Sequence, residues 1–349
     1  MRDIRNYLDT LASLAHADGG WGYAPGQPAH LEPTCLGLLA LSLDGGRFAP
    51  VLDSAWAALA SCATGGGLYR LARGREEAVW PTALVLFTQA ALGRAEDARR
   101  TAAALLGLRG KPLDPAASGE VHDIDVRLVG WPWADGNFSW AEPTAWACLA
   151  LRRAGFGEHE RVAEGLKLLL DRTFEDGGIN YGNRQILGRR TEPIPGPTAL
   201  MLLALQGQPD HPRLASSAFY LTEQALASSD VEHLCWARLA LEFHPDQPGV
   251  AAALPAIEER IAAAHQERCG EEWLRPAPLR EALTALALGG GAALFRTAGG
   301  SHEAPAAVAA GAKRKPLGDR VRSFFRGLAV QATGNLKQLP PQTAVHIAP

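Results

Sequence analysis

Two glutamates stand in the same short phrase, Glu32-Pro33-Thr34 and Glu142-Pro143-Thr144, each at the head of an apolar run. A carboxylate there can accept hydrogen bonds from the free N–H groups of a helix start, where the dipole favours the ionised form by about 0.3–1 kcal/mol. Such capping lowers a carboxyl pKa. The same pair can instead sit at the rim of a site, steering a cation or acting as acid and base. A second acidic group is Asp123-Ile124-Asp125-Val126, beside His122, Arg127 and the run Trp131-Pro132-Trp133, with Asp135, Phe138 and Trp140 following. Tryptophan faces stabilise cations through their quadrupole and also stack on sugars; packed on one another they serve equally well as a plug. Tyr181 and Arg184 belong to a later loop with Asn183, Arg189, Arg190 and Glu192, and arginine forks bind phosphate groups. Trp21, Tyr23 and Trp80 are further candidates for the wall of a cavity, with core packing as the rival reading. Asp18 and Asp176 head Gly-Gly turns.

These residues are positioned by a repeat. Glu32-Pro-Thr precedes CLGLLAL, Trp80-Pro-Thr precedes ALVLFTQ, Glu142-Pro-Thr precedes AWACLAL, and Gly196-Pro-Thr precedes ALMLLAL. Acidic, glycine-containing loops stand before three of them: Asp18-Gly-Gly-Trp, Asp135-Gly-Asn-Phe and Asp176-Gly-Gly-Ile. Proline suits the first helical position, where no N–H is needed. The residues that follow are apolar on nearly every face, so each such helix must be buried all round. Between them run helices with one wet face: one carrying Ile4, Leu8, Leu11 and Leu14, then residues 51–63, 95–108, 159–174, 214–227 and 250–266. Two degenerate copies, from His233 and from Arg280, bring the total to six helical hairpins. Apolar helices at the ends of an open superhelix would be exposed, so the pattern predicts an all-α fold closed into an α/α toroid, with an inner ring of apolar helices and an outer amphipathic ring. The long loops all precede inner helices, which places a site at that end.

Composition narrows the rest. Basic and acidic residues nearly balance at a net charge of −3, so no nucleic-acid partner is expected. The five cysteines are widely spaced, as in small buried hydrophobes of a reducing compartment. The charged amphipathic start is unlike a signal peptide, and no apolar run approaches the ~20 residues of a membrane span. The expected division is a ring over residues 1–290, a Gly/Ala/Pro linker over 291–312, and a basic amphipathic tail over 313–349. Residues 313–329 of that tail suit contact with an anionic membrane or packing on the ring. A cytoplasmic protein, peripheral at the membrane through that segment, is the expected setting.

The recurring unit, Asp-Gly-Gly-Trp-Gly and then Pro-Thr with a Leu-Ala-Leu run, resembles the terpenoid cyclase and protein prenyltransferase superfamily over about residues 1–290. The resemblance implies an α/α toroid whose aromatic-lined central cavity takes an isoprenoid at the N-terminal ends of the inner helices. It implies an acid role for Asp123 or Asp125, the nearest match to the cyclase Asp-x-Asp-Asp motif, although the last Asp is Val126. The Asp-x-Cys zinc pair of the prenyltransferases is absent, so neither metal nor cofactor is expected, even though Cys35 and His233 lie near helix starts. Cys269-Gly-Glu-Glu272 is similar to a thioester motif but lacks its glutamine. The expectation is a protein that binds or acts on an isoprenoid, with Glu32 and Glu142 guiding a cation. A carbohydrate-active α/α-barrel enzyme and a non-catalytic lipid- or protein-binding toroid remain as alternatives.

Overall fold

The computed structural model describes residues 2–70, 80–113, 123–186, 188–269 and 276–297. The chain divides into two units, Met1–Ala304 and Pro305–Pro349, and every described residue lies in the first. The thioester-like Cys269-Gly-Glu-Glu272 phrase beyond its first residue, His122, the linker beyond 297 and the basic tail lie outside the described residues.

The fold is all-α. Among the described residues, the first twelve α-helices alternate in kind: α1 (Arg5–Ser13), α2 (Leu31–Leu41), α3 (Ala49–Ser61), α4 (Pro81–Ala91), α5 (Ala95–Gly107), α6 (Ala141–Arg153), α7 (Glu160–Arg172), α8 (Pro195–Ala204), α9 (Pro212–Ala227), α10 (Val231–Leu241), α11 (Val250–Cys269) and α12 (Pro278–Leu288). Among the described residues the strands are limited to a two-residue antiparallel pair, Gln185–Ile186 with Arg189–Arg190. No described helix is long and apolar enough to cross a membrane.

The even-numbered helices are buried on almost every face, as their composition demands. Glu32 is the sole residue of α2 that is not buried, and in α6 Glu142 and Arg153 alone escape. A helix of this kind needs partners on all sides. Accordingly α2 packs on α4, α4 on α6, α6 on α8, α8 on α10, α10 on α12, and α12 back on α2. The odd-numbered helices cover this cycle with their apolar faces, and α1 lies against both α12 and α2, where the ends of the cycle meet.

The repeated threonine has a structural task. Thr34, Thr82, Thr144 and Thr198 each accept, through Oγ1, the backbone N–H of a residue in the preceding loop: Trp21, Tyr69, Trp131 and Ile179, at 2.9–3.0 Å. The carbonyls of Trp21, Trp131 and Ile179 in turn receive the N–H of His30, Trp140 and Ile194, just ahead of each helix. This register corrects the sequence alignment of the third loop. Trp131, not Phe138, is the counterpart of Trp21, and both indole N–H groups reach the carbonyl of a preceding covering helix, Leu11 or Leu105, at 2.8 Å. The close approach explains the glycine before the clamped residue: a Cβ at Gly130 would lie 2.2 Å from Thr144 Oγ1.

A short helix, α13 (Ala292–Phe295), follows the cycle and corrects the start of the expected linker. Arg153 donates to the Leu294 carbonyl at 3.1 Å and Gln206 Nε2 to the Phe295 carbonyl at 2.9 Å. Phe295 is thereby held in a closed set of four rings with Phe87, Trp146 and Trp236, with centroids 4.9–6.1 Å apart. Trp146 and Trp236 touch although α8 lies between their helices in the cycle, so aromatic side chains occupy its middle.

The clamp is testable. Thr34→Val, Thr144→Val and Thr198→Val each strand a buried N–H and should each cost about 1–3 kcal/mol in urea unfolding. Ser54→Ala, on the wet face of α3, should stay within about 0.5 kcal/mol.

Candidate functional site

The N-terminal ends of the buried helices carry the candidate site. Backbone hydrogen bonds align the helix starts: Thr34, Thr144, Thr198, Leu234 and Glu281 donate to His30, Trp140, Ile194, Asp230 and Ala277 respectively. Two residues before each of these donors stand Glu32, Glu142, Gly196, Glu232 and Leu279, with Trp80 in the same place ahead of Thr82. Carboxyl groups therefore occupy alternate members of the six-helix cycle, on α2, α6 and α10. Glu232 escaped sequence reasoning because its phrase, Glu232-His-Leu, has lost Pro-Thr. One signal was available: Glu142 precedes Trp146, and Glu232 precedes Trp236, by four residues. On a helix that spacing sets the indole one turn below the carboxyl on the same face.

Glu32 and Glu142 are not helix caps. Both helices begin one residue earlier, at Leu31 and Ala141, and neither start has a side-chain cap. Glu32 accepts a hydrogen bond from the Tyr23 hydroxyl. Glu142 and Glu232 have no hydrogen bond or ion pair among the described residues. Desolvation is the first cause of an upward shift in all three carboxyls, and the charge of Glu32 adds to it at Glu142 and Glu232. Glu142 is pushed up to about 8 by burial and then by Glu32 and Glu232. Glu232 is pushed up to about 7 by burial, Glu32 and Asp230. Glu32 also moves up, against the opposing hydrogen bond from Tyr23. These shifts run opposite to the lowering expected of a helix cap, because desolvation and like charges outweigh a helix start that makes no hydrogen bond to the side chain.

The burial of these groups is of a particular kind. Glu232, Tyr23 and Tyr181 keep substantial accessible surface, yet protein surrounds each closely enough to desolvate it. Accessible surface among dense walls describes a recess, and accessible area alone overstates how freely water solvates the Glu232 carboxylate. Tyr23 feels Glu32, Glu232 and Glu142; Tyr181 feels Glu142 and Glu232. The Tyr23 ring packs against His30 at 4.6 Å, and burial lowers His30 to about 4, so it is neutral and offers no counter-charge. Trp140 sits directly before α6, whose first N–H donates to the Tyr181 carbonyl at 2.9 Å. Trp80 and Trp133 form an edge-to-face pair at 5.3 Å, joined by a backbone hydrogen bond.

Other expected site residues are placed elsewhere. Trp21 and Trp131 are fully buried braces between covering and buried helices, with Trp21 against Gly37 and Trp131 against Gly165 and the Arg161 guanidinium. Asp125 is paired with Arg127 at 2.8 Å, and those hydrogen bonds hold its carboxyl down at about 2. Asp123 is paired with Arg184 at 3.1 Å, and Arg184 also reaches the Thr173 carbonyl at the end of α7. Both aspartates and Arg184 thus brace loops, engaged as ion pairs. Burial pushes the Cys35 thiol up to about 12, which excludes a thiolate at neutral pH. Among the described residues no group of His, Cys, Asp and Glu is arranged to hold a metal ion.

No family model matches the chain, and no curated protein matches it. Solved structures do match. One, described as the crystal structure of a protein from Actinoplanes, superposes with a TM-score of 0.54 at 18% identity, covering 83% of this chain and 98% of that one. At that identity the likeness concerns the fold alone.

The raised carboxyls have a signed consequence for stability. Glu142 and Glu232 hold protons more tightly in the folded chain than in the unfolded one, so folding stability falls as pH rises from about 4.5 toward 8 and 7. Glu142→Gln and Glu232→Gln should flatten that fall, with the gain over wild type largest above pH 8. Chemical denaturation at pH 5, 7 and 9 measures it.

Proposed function

We propose that the closed helix cycle is an α/α toroid of the terpenoid cyclase and protein prenyltransferase architecture, and that its acidic mouth binds an isoprenoid-like ligand around a positively charged centre. The observation that carries this reading is the meeting of Glu32, Glu142 and Glu232 with no basic partner among the described residues, above the indoles of Trp146 and Trp236. Glu32 raises Glu142 and Glu232, and Glu232 raises Glu142, only while no cation lies between them. A cationic centre would relieve the repulsion and gain attraction to ring faces, by about 0.5–2 kcal/mol per favourable contact. Tyr23, Tyr181 and Trp140 supply apolar surface for an attached hydrocarbon.

The same features argue against two neighbouring roles. Protonating an alkene needs a strong, neutral acid, whereas Glu142 at about 8 is weak and Asp125 at about 2 is ionised in a salt bridge. A diphosphate would meet three carboxyls, and Arg184 is occupied by Asp123. The site is suited to holding a cation, or to accepting a proton from one near neutral pH, and not to generating one by protonation.

Equilibrium binding of farnesylamine, farnesol and farnesyl diphosphate at pH 6 and pH 9 tests this reading. The ammonium stays charged to about pH 10 while the carboxyls ionise across the interval, so amine affinity should rise with pH. Farnesol should bind weakly at both pH values and the diphosphate least. Glu142→Gln or Glu232→Gln should weaken the amine about tenfold, or ~1.4 kcal/mol. Preference for the diphosphate, or no binding of any of the three, contradicts it.

A further inference from the structure

A second pocket lies between α3, α4 and α5 and shares no residue with the acidic mouth. Its volume is about 350 Å³, within the range of small-ligand sites. Trp56, Leu59 and Ala60 of α3 form one wall, Gly66, Gly67 and Tyr69 another, and Asp97 and Arg100 of α5 border it with Arg94, the residue before α5. Gln89, at the end of α4, also lines it and is only 2% exposed.

The Gln89 amide is half satisfied. Its Nε2 donates to the Tyr69 hydroxyl at 3.0 Å, while its Oε1 has no partner. A buried carbonyl oxygen is thus left wanting a donor, which few native side chains are. At the border two guanidinium groups share one carboxylate. Arg100 takes Asp97 Oδ1 at 2.7 Å, and Arg94 lies 3.9 Å from Oδ2 and stacks on Trp56 at 4.3 Å. One positive charge is left over.

We propose that this pocket binds a small carboxylate that also bears an O–H or N–H donor, its donor meeting Gln89 Oε1 and its carboxylate meeting Arg94 and Arg100. The inference stands independently of the acidic mouth.

The probes are 4-hydroxybenzoate, its methyl ether 4-methoxybenzoate, and the uncharged 4-hydroxybenzamide, titrated into the full chain and followed by calorimetry and by NMR of the Trp56 indole and Gln89 side-chain amide. The hydroxybenzoate should bind and shift both signals, and each of the other two should bind at least tenfold more weakly. Gln89→Met should cost the hydroxybenzoate tenfold or more, and Arg94→Gln, at a half-exposed position that tolerates change, should weaken it severalfold with unfolding unaltered. Glu142→Gln should leave this binding unchanged. Equal binding of the methyl ether, or no shift at Gln89 and Trp56 with any probe, overturns the proposal.

Discussion

A helix that is apolar on every face has no stable place at a surface, and six of them in one chain leave few arrangements. Each must be covered by two like neighbours and by an amphipathic partner, and the last must cover the first. The contact of α12 with α2 meets that demand. The threonine clamps fit the same constraint. Loops that enter between tightly packed helices bring backbone N–H groups with them, and Thr34, Thr82, Thr144 and Thr198 satisfy those groups from inside the core.

The constraint also creates the site. Helices packed in one cycle, and entered from one end, bring their first turns together. Glutamate stands at the second position of three of the six, α2, α6 and α10, and the neighbouring His30 is neutral. Stability alone does not account for three acidic groups desolvated together without a counter-charge among the described residues; a leucine, as at Leu279, serves the packing equally well. Below them Trp146, Trp236, Phe87 and Phe295 pack on one another and close the middle of the cycle.

Most of the architecture was legible because it is periodic. The apolar runs after Pro-Thr and the wet-faced helices between them fall within a few residues of the observed elements, and the glutamates of the first and third copies were singled out by their place in the phrase. What escaped depends on the third dimension. Trp21 and Trp131 belong to the same residue type as Trp140, and only the clamp to Thr34 or Thr144 shows that they brace the core. Asp123 and Asp125 resembled a catalytic motif until Arg184 and Arg127 were found on them, partners that motif spacing does not reveal. Glu232 lost its Pro-Thr phrase while keeping its geometry. Phe295 lies beyond the last repeat, inside the span 291–312 expected to be a Gly/Ala/Pro linker.

The central claim is electrostatic: Glu32, Glu142 and Glu232 lie close enough to interact, with no cationic partner among the described residues. Carboxyl-carbon NMR titration of the full chain, with Glu32, Glu142 and Glu232 assigned by single Gln substitutions, addresses it directly. The account predicts coupled steps well above the ordinary glutamate range, with those assigned mainly to Glu142 and Glu232 near 8 and 7, and a downward move of the remaining steps when any one of the three is neutralised. Ordinary midpoints near 4.5 for Glu142 and Glu232, unmoved by substitution of their neighbours, would contradict it.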